Sequence, residues 1–172
     1  MKYINAANKF NFDLAYTVYN TVYHAWGTLS AKEKKKARRQ VESMISEAGF
    51  RGVSTKLISE AAWETVLAER AGFKAIGGAR KAKEHPITYT NIAMFCLTQK
   101  QVLQYEDYFK VWFDNLITTT TTSEENYRLQ KSQKNFVFGV DCWKEMYHKA
   151  GIKLIPRPDL RAKGAKLQHG LD

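Results

Sequence analysis

The sequence predicts a mainly α fold: a single compact domain of about six to seven helices, at most a small strand pair, and a basic C-terminal arm. Three observations lead there. Apolar residues recur at helical spacing along several stretches, two Ser/Thr-x-x-Glu patterns mark helix starts, and no repeat or linker divides the 172 residues. The length suits one domain over 1–155 followed by an arm over 156–172. Hydrophobic residues make up 44%, and nine Tyr, nine Phe and four Trp supply an aromatic-heavy core, which argues against disorder.

The first helix follows from apolar positions 12, 15, 16, 19, 22, 23 and 26, the stripe of an amphipathic helix, ending near Gly27. Ser30 with Glu33 forms a capping box that opens a second helix, and Gly49 stops it. Ser54 or Thr55 is expected to open a third, with Ile58, Ala62 and Val66 as its apolar line and Gly72 as its end. Residues 73–86 have no helical period and read as a loop, with room for a short strand around Phe73–Ile76. A short apolar helix follows in "ITYTNIAMFCLTQ", and the strongest stripe runs through 102, 105, 109, 112 and 116. Thr118–Thr122 end helical order, because β-branched side chains lose χ1 freedom in a helix. Thr122 with Glu125 is a second capping box, "NFVFGV" reads as one short strand, and Asp141 is expected to cap a last helix that Gly151 stops.

Charge narrows the function. The chain carries a formal +10, which points to a polyanion, nucleic acid before an anionic membrane surface. The cations are concentrated in residues 32–39, 70–83 and 149–166, whereas residues 101–126 hold Glu106, Asp107, Asp114, Glu124 and Glu125 against Lys110 alone. A positive and a negative side are expected, the second suited to a protein partner or to mimicking phosphate. On the second helix Lys32, Lys35, Lys36 and Arg39 share one face with Arg38 beside it, and Arg80, Lys81 and Lys83 follow a double glycine. These eight are the candidate nucleic-acid contacts, since each cation set on a phosphate releases counterions. Tyr89, Tyr105 and Tyr127 are candidates for stacking on bases, although such spacing also suits a core. The basic helix lacks bulky apolar neighbours, which weakens a membrane-surface role. No run suits a membrane span, no secretory signal opens the chain, and Cys96 and Cys142 stand 46 apart without metal-site spacing. A cytoplasmic protein with two buried thiols is expected.

Glu84-His85-Pro86, approached through "GGARKAK", is where chemistry is expected. Phosphodiester hydrolysis needs a base for water and a divalent cation for the charge developing on phosphate. His85 is the candidate general base, Glu84 a metal ligand or orienting carboxylate, and Glu60 a second candidate ligand for Mg²⁺ or Mn²⁺. Together with Asn91-Ile92, Cys96 and Gln99-Lys100, this segment resembles the His-Asn-His nucleases, although Gln99 replaces their last metal ligand and only six positions separate His85 from Asn91. A wider resemblance is to phage and bacterial nuclease-like proteins, through Glu84-His85-Pro86, Ile117-Thr118, Glu124-Glu125-Asn126 with Leu129, and Tyr147 before Ala150-Gly151-Ile152. It implies a metal-dependent endonuclease acting on DNA, RNA being the less favoured substrate, in a host cytoplasm if the chain comes from a phage. The competing reading is a non-enzymatic helical DNA-binding or regulatory protein whose acidic 101–126 segment docks a partner. Under it Glu84-His85 is a loop-to-helix junction.

Overall fold

The computed structural model describes residues 4, 5, 7–50, 52–74 and 77–158. Seven α-helices dominate it, as expected: α1 (Lys9–Ala25), α2 (Ala31–Glu47), α3 (Glu60–Arg70), α4 (Tyr89–Leu97), α5 (Tyr105–Asn115), α6 (Ser123–Gln133) and α7 (Trp143–Lys149). Strands β1 (Val53–Ser59), β2 (Lys81–Glu84), β3 (Ile117–Thr122) and β4 (Leu154–Pro156) form one small sheet in the order β2-β3-β1-β4. The β1–β3 pair is parallel, and both edge strands run antiparallel to their neighbours. No helix among the described residues is long and apolar enough to cross a membrane.

Both expected capping boxes are made. Ser30 Oγ accepts from the Glu33 amide while Glu33 accepts from the Ser30 amide at 2.9 Å, and Thr122 and Glu125 reciprocate in the same way. The aromatic core lies under the inner faces of α1, α4 and α5. Tyr19 stacks on Tyr108 at 4.1 Å between ring centroids, and Phe12 meets Phe109 edge-on at 4.9 Å. Tyrosine hydroxyls then tie α1 to the α4–α5 connection, Tyr16 donating to the Leu103 carbonyl at 3.0 Å and Tyr23 to that of Gln99 at 2.9 Å. Cys96 is buried here, and burial pushes its thiol up to about 12; Cys142, expected buried as well, is exposed.

The sheet is larger than a strand pair, and four local expectations change with it. Residues 53–59 form β1 rather than the start of α3, whose N-cap is Ser59 with its hydroxyl accepting from the Ala62 amide at 3.1 Å. Ile58, Ala62 and Val66 do pack together, but as a strand residue under two helix residues, with Trp63 and Ile155 around them. Residues 81–84 are β2 and not loop, while the short strand expected around Phe73–Ile76 falls partly on residues 75 and 76, which lie outside the described residues. The threonine run is β3, because side chains that crowd a helix suit a pleated surface. "NFVFGV" forms turns instead of a strand, and Asp141 fixes them by accepting from the Val137 amide at 2.6 Å, leaving Cys142 as the N-cap of α7 without a side-chain bond. Beyond Pro156 the expected basic arm lies mostly in residues 159–172, outside the described residues.

Candidate nucleic-acid interface

Of the expected cations, α2 carries most. Lys32, Lys35, Lys36 and Arg39 are exposed and make no ion pair among the described residues. Arg38 differs: it lies half-buried with Nε 2.8 Å from Glu42, whose carboxylate also accepts from Thr90 of α4. It is spent on packing α2 against α4. Lys81 is paired with Glu69 of α3, while Arg80 and Lys83 near β2 make no ion pair among the described residues.

β2 sorts its residues by the pleat. Successive strand side chains point to opposite faces, so Lys81 and Lys83 reach solvent while Ala82 and Glu84 turn under α6 and α7. Register places Lys83 opposite Thr120 and Glu84 opposite Thr119. On the buried side Glu84 is only 3% exposed, accepting from the Tyr147 hydroxyl through one oxygen and from Gln133 through the other. Gln133 also donates to the His85 carbonyl at 2.9 Å. Burial pushes the Glu84 carboxyl up to about 7, against the two donors, which favour its charged form.

His85 does not join Glu84. Its Nδ1 lies 3.2 Å from the Ile117 carbonyl, and its half-buried ring meets Tyr89 edge-on at 5.4 Å. A carbonyl only accepts, so Nδ1 carries the proton and Nε2 keeps a lone pair. Burial holds the imidazole below its ordinary pKa, the Ile117 carbonyl working the other way, so the ring is neutral at pH 7. Glu84, the last residue of β2, and His85, the first beyond it, thus take different partners, and the expected Glu84-His85 dyad is not assembled.

Nor does a metal site follow from the expected residues. Both Glu84 oxygens are taken, Glu60 pairs with Lys153 at 2.8 Å, and no group of three or more His, Cys, Asp or Glu side chains gathers among the described residues. Glu84 and Glu60, the ligands expected for Mg²⁺ or Mn²⁺, are thus each held by other partners. The other residues of the resemblance serve the fold. Asn91 closes the cap of α4 with Thr88, Gln99 bonds the Phe95 carbonyl, and buried Glu125 receives Ser59 at 2.5 Å.

Tyr89 and Tyr105 are packing residues, Tyr89 against Trp112 and Tyr105 against Phe109, while Tyr127 keeps an exposed ring. The acidic segment is divided as well. Glu106, Asp107 and Asp114 are exposed on α5, where a protein partner would meet them, whereas Glu124 and Glu125 stand at the start of α6. Sequence reasoning missed Tyr147 and Gln133 as partners of Glu84; 63 and 49 positions away respectively, they carry no local signal. It also missed Ser54, Thr118 and Thr120, hydroxyl residues on the sheet side that carries Lys83. Comparisons with protein families, with curated proteins and with solved structures find no match.

Proposed function

We propose that the protein binds nucleic acid, DNA first, through its phosphate backbone. One observation carries this reading: Lys32, Lys35, Lys36 and Arg39 project from one helix without an acidic partner among the described residues, and Arg80 and Lys83 add a second basic group. A merely solvated basic face would be interleaved with acids, as α1 is at Lys9–Asp13. Single cations add little affinity, but each phosphate neutralised steepens the salt dependence by nearly one unit.

Fluorescence anisotropy with a duplex DNA of about 20 base pairs, titrated across salt, tests the proposal. Binding through these six cations gives a log–log slope near −5, and replacing Lys35, Lys36 and Arg39 with alanine flattens it by about 3. Arg38→Ala and Lys81→Ala leave the slope unchanged, because those two are already neutralised by Glu42 and Glu69. An absence of binding at low salt, or equal slopes for all variants, would end the reading.

A second reading, metal-dependent cleavage with His85 as general base, rests on the Nδ1 contact that leaves Nε2 with its lone pair. Glu84, held by Tyr147 and Gln133, contributes nothing to it. Plasmid and single-stranded DNA incubated with Mg²⁺ or Mn²⁺, against chelator, decide it. Cleavage that His85→Ala abolishes while DNA binding persists supports the second reading, and no cleavage leaves a binding protein.

A further inference from the structure

α1 carries two apolar faces where one would serve the core. Phe12, Ala15, Tyr19 and Val22 point inward. Phe10 and Leu14, one turn apart, point outward and are 76% and 44% exposed. Val18 continues their line another turn on. Beside that line α1 and α2 leave an open groove of about 390 Å³, with Val18, Val22 and Met44 as its floor and Thr17, Thr21 and Gln40 along its sides. Exposed apolar side chains scattered singly need no explanation, but exposed Phe10 and Leu14, followed one turn on by half-buried Val18, lead into an apolar groove and form a continuous surface.

The groove is not uniform in charge. On α2, Lys36 stands one turn before Gln40 and Lys32 one turn before that, both exposed and without an ion pair among the described residues. One end of the surface is therefore apolar, at Phe10 and Leu14, and the other is rimmed by cations. Anchors at i, i+4 and i+8 suit an opposing helix, and the cationic rim asks for acids on it. Among its described residues a second copy of this chain does not offer such a helix. Its acidic helix α5 has Tyr108, Phe109, Trp112 and Phe113 committed to its own core, so it could bring carboxylates but no apolar side.

We propose that the α1–α2 groove docks an acidic amphipathic helix of a partner protein. Its apolar side chains lie along Phe10, Leu14, Val18 and Met44, and its carboxylates face Lys32 and Lys36. This surface is distinct from the acidic α5 side, and the proposal does not depend on nucleic-acid binding.

The probe is a labelled peptide of about 18 residues, roughly 27 Å as a helix, with leucines on one face and glutamates on the rest. Its binding to the full chain is followed by anisotropy. Saturable binding that weakens about tenfold in Leu14→Asp and again in Lys36→Glu supports the proposal. Both positions are exposed, so unchanged thermal melting of each variant certifies the fold. Three results would overturn it: no binding, equal binding by Leu14→Asp, or equal binding of a scrambled peptide of the same charge. Sedimentation covers the remaining occupant. A dimer that Leu14→Asp converts to monomer, with no peptide bound, assigns the face to self-association and also overturns the proposal.

Discussion

Raising the pH from about 4.5 to about 7 lowers the stability of this protein by on the order of 3 kcal/mol through Glu84 alone. The folded state raises the Glu84 pKa from its ordinary 4.5 to about 7, so between those values it holds a proton that the unfolded chain releases. The contribution is fully present below the unfolded pKa and is lost as pH rises through the folded one. Asp13 and Glu33, held below the ordinary carboxylate range by hydrogen bonds from Lys9 and Ser30, act in the opposite sense and at lower pH. Urea midpoints taken across the range should therefore fall with pH in the wild type and flatten in Glu84→Gln, which cannot ionise. Tyr147→Phe should carry the fall on to higher pH. It removes one of the two donors that favour the carboxylate, at about 1.5–3 kcal/mol for a bond to a charged group. A wild-type profile as flat as that of Glu84→Gln would show that Glu84 titrates normally and that water reaches it. Glu84 anchors the edge strand that presents Lys83, so the profile also reports on the candidate interface.

The helices were legible because their signals are local. The stripes of α1 and α5 and the boxes that open α2 and α6 each lie within a few turns of chain. The sheet was not legible, because its strands lack the usual alternation of apolar and polar residues. β2 reads Lys-Ala-Lys-Glu and buries its glutamate, and β3 places Thr119, Thr121 and Thr122 where valines would advertise a core. Only pairing reveals them, and Ser54 meets Thr118 across 64 positions. β1 misled for another reason: Ile58, Ala62 and Val66 hold helical spacing by sequence, yet Ile58 faces α3 from the sheet. The basic face of α2 could be read directly, since an exposed helix face depends on little beyond its own periodicity. Glu84-His85 could not, because the strand ends between them, Glu84 turning to Tyr147 and Gln133 and His85 to the Ile117 carbonyl.

Gly52→Ala should destabilise the fold by on the order of 3 kcal/mol, more than Gly49→Ala at a similar backbone conformation. Both glycines have positive φ, +85° at Gly49 and +81° at Gly52, which costs an L-residue about 1–2 kcal/mol. At Gly49 an added Cβ meets nothing within 4 Å, so the conformational cost is the whole effect. At Gly52 the same atom would stand 2.7 Å from the Leu116 carbonyl oxygen and 3.2 Å from both His85 Cε1 and Thr118 Cγ2. The Leu116 oxygen cannot yield freely, since it accepts from the Val53 amide at 2.9 Å where β1 begins to pair with β3. The ring of His85 is the softer neighbour, so the methyl group displaces it from the Ile117 carbonyl and toward water. Denaturant unfolding of the two variants separates the steric part from the conformational part. Histidine titration by NMR then follows the ring, whose depressed pKa should climb toward 6.5 in Gly52→Ala as burial is relieved. Equal losses in the two variants with an unmoved histidine would mean that the strand start gives way instead. In that case Gly52 is a turn residue only, and the packing that holds His85 toward the Lys83 side comes from Tyr89.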